Sequence, residues 1–194
     1  MKLYYKAGAC SLADHIGLRE AGIEPELVAA DLKARTTEDG GTIDQVNPKG
    51  YVPALVLDNG ELLTENAAIL SYLAEKNASL LPEGELGRTR LIEMLAFIGS
   101  ELHKSYGPFF AGQGDEAKNA ARAKLDKRHA YLAEALKGPF IFGEKVSAAD
   151  PYLYVVLRWA DAVGISVPEK LKAFKAEMEK RPAVQKALAV EGLA

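Results

Sequence analysis

Residues 1–21 read MKLYYKAGACSLADHIGLREA. Leu3-Tyr4-Tyr5 is a short apolar and aromatic run of strand type, and Gly8 marks a turn. From Leu12 a helical spacing sets in, with Ile16 on the same face, Ile23 beyond, Ala13 and Ala21 as small helix formers and Gly22 as a stop. The stretch predicts strand, turn and helix, and it puts Cys10, the only cysteine of the chain, at the junction. There the free N–H groups and the dipole of the helix favour an anion, so the position suggests a reactive thiol, partly ionised at neutral pH. A lone cysteine is also commonly just a small buried apolar residue, and both readings stand.

The rest of the chain organises itself around that unit. Pro25-Glu-Leu-Val-Ala-Ala reads as a second strand, and Asp31 to Gly41 as a polar surface loop. Thr42 to Val46 allows a short helical turn before the turn signal Asn47-Pro48-Lys49-Gly50. Pro53 to Asp58 is a third strand, Asn59-Gly60 a hairpin turn and Glu61-Leu62-Leu63 a fourth strand. Glu65 to Lys76 is helical, with Ile69, Leu70 and Leu73 on one face. Near residues 77–86 the texture changes to helical periodicity alone. Leu91, Leu95, Ile98, Leu102 and Phe109 line one helix from about Gly87 to Phe110, and Ala121, Leu125, Leu132 and Leu136 the next. Ser147 to Asp150 forms a capping-box pattern before Tyr152–Val163, weakened by Pro151 in the first turn; Pro168 and Pro182 open two last helices. The residues thus predict a small four-stranded mixed sheet with helices over 1–78 and an all-helical unit over 87–194.

Composition excludes several classes of function. The 194 residues are 48% hydrophobic and 26% charged, with 24 Lys and Arg against 27 Asp and Glu. A formal charge of −3 leaves no electrostatic footprint for nucleic acid or an anionic membrane. No apolar run approaches the ~18 residues of a membrane span, and the N-terminus has no signal-peptide pattern. One cysteine makes no internal disulfide, which suggests a cytoplasmic setting. No Cys/His cluster with metal-ligand spacing occurs, so no metal is expected.

Cys10 at the first strand–helix junction, Val52-Pro53 before the third strand and Glu65-Asn66 opening a helix resemble the thioredoxin-like half of a glutathione transferase. The helical second half with its Ser147…Asp150 cap is similar to that family as well. Met1-Lys-Leu-Tyr-Tyr, Ala9-Cys10-Ser11-Leu12, Asn47-Pro48-Lys49-Gly50, His103-Lys104 and the terminal Glu191-Gly192-Leu193 resemble its bacterial beta class, and the likeness covers essentially the whole chain. It implies an α/β thioredoxin-like domain followed by an all-α domain, glutathione as co-substrate, no metal, and a homodimer.

Residue by residue, the resemblance implies a cis Val52–Pro53 bond, leaving the Val52 N–H and C=O to pair with the peptide backbone of glutathione. Glu65 and Asn66 would take the γ-glutamyl end, Arg35 the glycyl end, and Ser100 the glutathione of the neighbouring subunit. His103 and Lys104 would stand over the thiol, with Cys10, Ser11 and His103 as catalytic candidates. Without the resemblance, Pro53 reads as a turn proline, Glu65-Asn66 as helix-end chemistry and Arg35 as an exposed charge. Tyr106, Phe109, Phe110 and Trp159 are candidates for an apolar pocket for the second substrate, or for plain core. His129, on an apolar stripe, reads as a partly buried structural histidine; His15, one turn beyond Cys10, is open in role, with a structural one the better reading. His103, on a polar stripe, reads as replaceable with little loss of stability.

Three departures from the family pattern stand out. Lys6 and Ala7 stand where proline is common nearby, which suggests a more mobile lip. Asp14 also stands where proline is common, and its charge opposes a thiolate at Cys10. Ala96 replaces an asparagine that reaches the partner's glutathione. The leading expectation is a transferase conjugating glutathione to small hydrophobic electrophiles. A second is a monothiol oxidoreductase working through a Cys10–glutathione mixed disulfide, because Ala13 fills the second position of a would-be C-x-x-C. A third is a non-catalytic binding module of the same fold.

Overall fold

The computed structural model describes all 194 residues. The opening stretch folds as its pattern predicts, into β1 (Lys2–Tyr5), a turn at Gly8 and α1 (Ser11–Glu20). β2 (Glu26–Asp31) returns parallel to β1 with Leu27 opposite Leu3. β3 (Thr36–Thr37) follows, then α2 (Ile43–Val46), β4 (Ala54–Val56) and β5 (Leu62–Thr64). β4 runs antiparallel to β1 and forms a hairpin with β5, giving one sheet in the order β3-β2-β1-β4-β5. The sheet therefore has five strands where the sequence predicts four. The extra one is two residues long, inside the stretch read as a loop, and pairs Thr37 with Ala30 on β2. Two residues are too few to leave an alternating pattern.

Alternation along the strands divides the apolar side chains between two clusters. Leu3 and Leu55 point into the main core; Tyr4 and Ala54 join Val28, Ala30, Ile43 and Val52 in a small cluster on the other face. α3 (Asn66–Lys76) packs on α1 and completes the sheet half, and after a 3-10 turn at Ala78–Leu80 the helical half opens with α4 (Gly87–Phe97). Beyond the sheet's edge come α5 (Gly107–Phe110), α6 (Asp115–Ala135), α7 (Asp150–Ala162), α8 (Glu169–Glu179) and α9 (Pro182–Val190). The helix expected over 87–110 is continuous but irregular. After α4 the chain passes through a π-helical segment, Ile98–Leu102, and a 3-10 turn, His103–Tyr106. The changes of pitch re-phase the helix, so Leu91, Leu95, Ile98 and Leu102 stay buried and Tyr106, not Phe109, takes the next core position. Such irregular turns often mark functional sites.

The cap at the start of α7 also differs from expectation. The helix begins at Asp150, so Pro151 lies at its second position, where its missing N–H costs nothing. Asp150 reaches back to accept from the Ser147 N–H and Oγ (2.6 Å each) and, further back, from Ile141 N–H (2.8 Å).

α1 is where the sheet half and the helical half meet. It packs on α3 on one side and on α7 and α9 on the other, and every residue from Ser11 to Leu18 is buried. Gly17 permits the approach to α3, since a Cβ there would stand 2.6 Å from Leu70 Cδ2. Leu12, Ile16 and Leu18 each contribute about 1.5–3 kcal/mol by burial, which anchors the helix although Ser11, Asp14 and His15 are buried with them. One core of 39 residues runs through both halves without a break.

Candidate active site

The turn between β1 and α1 carries Cys10 to the floor of a cleft of about 600 Å³ between the two halves. From the sheet half the cleft is lined by Cys10, Tyr51, Val52, Pro53 and the head of α3, Glu65 to Ala67. From the helical half come Leu95, Ala96, Gly99, Ser100, His103, Lys104 and Tyr152. The Val52–Pro53 bond is cis, as the resemblance implies. Val52 N–H donates to no group of the chain, and its C=O receives only the Cys10 thiol, at 3.6 Å. As the first residues of α3, Asn66 and Ala67 present N–H groups with no partner inside the helix.

Glu65 holds a positive φ of 71°, a conformation that costs roughly 1–3 kcal/mol in a non-glycine residue and clusters at functional sites. Its carboxylate accepts from Lys49 Nζ at 2.7 Å and Tyr51 Oη at 2.6 Å. The lysine first, then the tyrosine, hold the Glu65 carboxyl below the usual range. Lys49 and Tyr51 were missed by sequence reasoning, which saw only a turn at 47–50. The available signal is Asn47, whose side chain accepts from Lys49 N–H (3.1 Å) and donates to Tyr51 C=O (2.7 Å), folding both residues toward Glu65.

His103 is set by contacts from α7. Its Nδ1 lies 2.7 Å from Tyr152 Oη, and its ring stands edge-on to Trp159 with centroids 4.8 Å apart. Burial lowers the imidazole to about 4, with the neighbouring Lys104 charge adding to the effect. The ring is therefore neutral; a Tyr152 O–H donated to Nδ1 leaves the imidazole proton on Nε2. Lys104 makes no ion pair and is an unneutralised cation on the cleft wall.

Several expected residues stand elsewhere. Ser11 is fully buried, and its hydroxyl accepts from Lys6 N–H (3.1 Å) and donates to Lys6 C=O (3.3 Å), so it closes the turn and does not enter the cleft. Asn66 turns its side chain inward, donating to Cys10 C=O and to Asp14 Oδ2 at 2.8 Å each; only its N–H is left for the cleft. Arg35 forms a two-pronged pair with Asp44 and lies against Gly50, outside the lining. Tyr106, Phe109, Phe110 and Trp159 line none of this cleft. Three of them pack on one another, Tyr106 and Phe110 against Trp159 at 5.6 and 5.3 Å, while Phe109 lies under Arg122.

Cys10 is reversed from expectation. Burial, and then the Asp14 carboxylate, push the thiol up to about 12. Loss of hydration outweighs the help of the helix N-terminus, and the thiol is protonated at neutral pH. Nor is the lip loose. Gly8 C=O accepts from Trp159 Nε1 (2.9 Å), and Gly8 N–H donates to Glu191 Oε2 (3.0 Å). Glu191 Oε1 in turn lies 2.9 Å from Nδ1 of buried His15. His129 is fully buried, its Nε2 3.3 Å from Tyr106 Oη. No group of three or more His, Cys, Asp or Glu is arranged to hold a metal ion, and no helix is long and apolar enough to cross a membrane.

Comparison with known proteins agrees with this geometry. The N-terminal domain family of glutathione S-transferases matches residues 9–76 and the corresponding C-terminal domain family matches residues 89–182. Glutathione S-transferase GstA of Escherichia coli O157:H7 is 47% identical over the whole of both chains. The structure of a sphingomonad glutathione S-transferase complexed with glutathione superposes with a TM-score of 0.92 at 49% identity, covering both chains fully. A bacterial beta class glutathione S-transferase of Sphingomonas chungbukensis does so with the same TM-score at 46% identity, again over both whole chains.

Proposed function

The chain belongs to the glutathione S-transferase family, with near relatives in its bacterial beta class, and from this premise we propose that it conjugates reduced glutathione to small hydrophobic electrophiles. The observation that carries the reading is the convergence on Cys10 of unpaired backbone groups and charge. Val52 offers a free N–H, and a C=O engaged only by the Cys10 thiol, for the tripeptide backbone. The N–H groups of Asn66 and Ala67 suit the γ-glutamyl carboxylate, and the Glu65 carboxylate its ammonium. We assign residues 1–78 to this binding unit and 87–194 to the helical unit that faces it.

In the reaction the glutathione thiol loses its proton, and its sulfur attacks the electrophilic carbon as the leaving group departs. Three groups favour the thiolate: the Lys104 ammonium, the Nε2–H of neutral His103 and the S–H of Cys10. Cys10, being protonated, acts here as a donor and not as the nucleophile. Ser100 stands toward a neighbouring subunit in a homodimer, where Ala96 offers no second polar contact. A cytoplasmic setting fits a chain with a single cysteine.

The test is calorimetric titration with reduced glutathione, together with conjugation of chlorodinitrobenzene by wild type and Cys10→Ala. We expect binding and turnover in both proteins, with formation of a mixed disulfide lost in the variant. Conjugation falling as far as disulfide exchange would make Cys10 directly required for both reactions and refute this division of roles. Absence of glutathione binding would leave a scaffold without catalysis.

A further inference from the structure

α1 buries a carboxyl that the conjugation chemistry leaves unused. Asp14 is fully buried, and its Oδ1 has no hydrogen-bond partner. Its Oδ2 accepts from Asn66 Nδ2, and the same amide nitrogen donates to the Cys10 carbonyl. One side chain thus ties the carboxyl to the residue that bears the thiol, a single helical turn away. Two ionisable groups so placed, with little water between them, do not both carry charge. Burial with no partner on Oδ1 raises the Asp14 carboxyl well above its ordinary range. Burial raises the thiol too, to about 12, so the carboxyl ionises first and the thiol gives up its proton only against that charge.

We propose that Asp14 sets the reaction specificity of the cleft, suppressing the Cys10 thiolate and so restraining disulfide exchange at Cys10. In that exchange the thiolate attacks one sulfur of oxidised glutathione, the disulfide bond breaks, a Cys10–glutathione bond forms, and the released glutathione thiolate takes up a proton from water. Asp14 touches no substrate and acts through Cys10, as a positioning residue. The assignment of exchange as the suppressed reaction rests on glutathione being the ligand of this cleft.

The charged and titratable groups around the pair do not override it. The N–H groups of Cys10 and Ser11 favour the thiolate, and Lys104, from the turn after the π segment, is the one charged side chain that adds to them. Tyr152 on α7 is held as a neutral hydroxyl by burial. Glu65 at the head of α3 is engaged by Lys49 and Tyr51, and His15 on α1 is engaged by Glu191 beyond α9.

The experiment is the rate of Cys10 alkylation by iodoacetamide as a function of pH, read by intact mass, in wild type, Asp14→Asn and Asp14→Ala. Because the chain holds one cysteine, the mass change reports that site alone, and no glutathione is needed. The outcome therefore stands whether or not the protein conjugates. We expect the midpoint to fall by at least one pH unit in both variants, raising the rate about tenfold at a fixed pH on the rising limb of the profile. Adduct formation with oxidised glutathione should rise in parallel. Alkylation profiles equal to wild type would overturn the proposal, as would a rate raised equally at every pH, the signature of a loosened turn and not of a removed charge. If Asp14→Asn does not fold, Asp14→Ala decides by the same criteria. Faster alkylation with no rise in the glutathione adduct would refute the specificity role.

Discussion

Replacing Glu191 by Gln tests how the C-terminal segment holds the turn that carries Cys10. The side chain is fully buried and accepts two hydrogen bonds, one on each oxygen: His15 Nδ1 at 2.9 Å and Gly8 N–H at 3.0 Å. Arg19 Nε donates to His15 Nε2 at 2.9 Å, so the imidazole proton is on Nδ1 and the ring donates to the carboxylate. Glutamine keeps the shape but supplies one acceptor and turns an NH₂ toward the second donor. One charge-assisted bond of about 1.5–3 kcal/mol is lost, and a buried donor left unsatisfied costs about 1–3 kcal/mol more. The expected loss is roughly 3–5 kcal/mol, which for a chain of this size lowers Tm by about 6–20 °C. Urea unfolding of wild type and Glu191→Gln at one pH measures it, with conjugation assayed per folded molecule. Because Trp159 still holds the Gly8 carbonyl, the folded variant should keep the cleft and lose rate through a less ordered turn. A stability loss below about 1 kcal/mol would refute the reasoning, since no such network could then be satisfied only by a carboxylate.

Three further outcomes are expected. His103→Ala should reduce conjugation per folded molecule about tenfold and, contrary to the expectation from the sequence, lower stability by about 2–3 kcal/mol, because it strips Tyr152 of a partner and leaves a gap against Trp159; equal thermal melts would disprove the packing role. Glu65→Gln should raise the KM for glutathione about tenfold or more, with little change in Tm, since the carboxylate's own partners Lys49 and Tyr51 are exposed; an unchanged KM would remove Glu65 from the binding site. Burial lowers His129 to about 4, so between that value and the unfolded value near 6.5 the unfolded chain holds a proton the folded one lacks, and stability falls as pH falls. Comparing wild type with His129→Gln from pH 7 to about 4.5 cancels the other groups, and the variant should show a pH-dependent loss smaller by about 2–3 kcal/mol; parallel curves would refute the assignment.

What the sequence by itself determined about this protein is what neighbouring residues decide among themselves. The β1–α1 unit, the Asn59-Gly60 hairpin and the α3 face of Ile69, Leu70 and Leu73 follow from periods of two and of three to four residues and from turn chemistry. The motifs around Cys10, Val52-Pro53 and His103-Lys104 are marked by the resemblance to the glutathione transferases and not by period or spacing, and these residues do meet in one cleft. What only the tertiary structure decided depends on groups far apart along the chain. β3 exists because β2 offers a partner edge, not because two threonines specify a strand. The π segment at Ile98–Leu102 and the 3-10 turn after it put Tyr106 in the core where the spacing put Phe109, a phase change that no helical spacing announces. Ser11, Arg35 and the Asn66 side chain look available in sequence, but Lys6, Asp44 and Asp14 engage them. The charge state of Cys10 is the clearest case. A helix N-terminus argues for a thiolate, but α1 is buried by α3, α7 and α9 together. The energy of an ion depends on how much water that packing removes, a property of the assembled fold and not of any stretch of it.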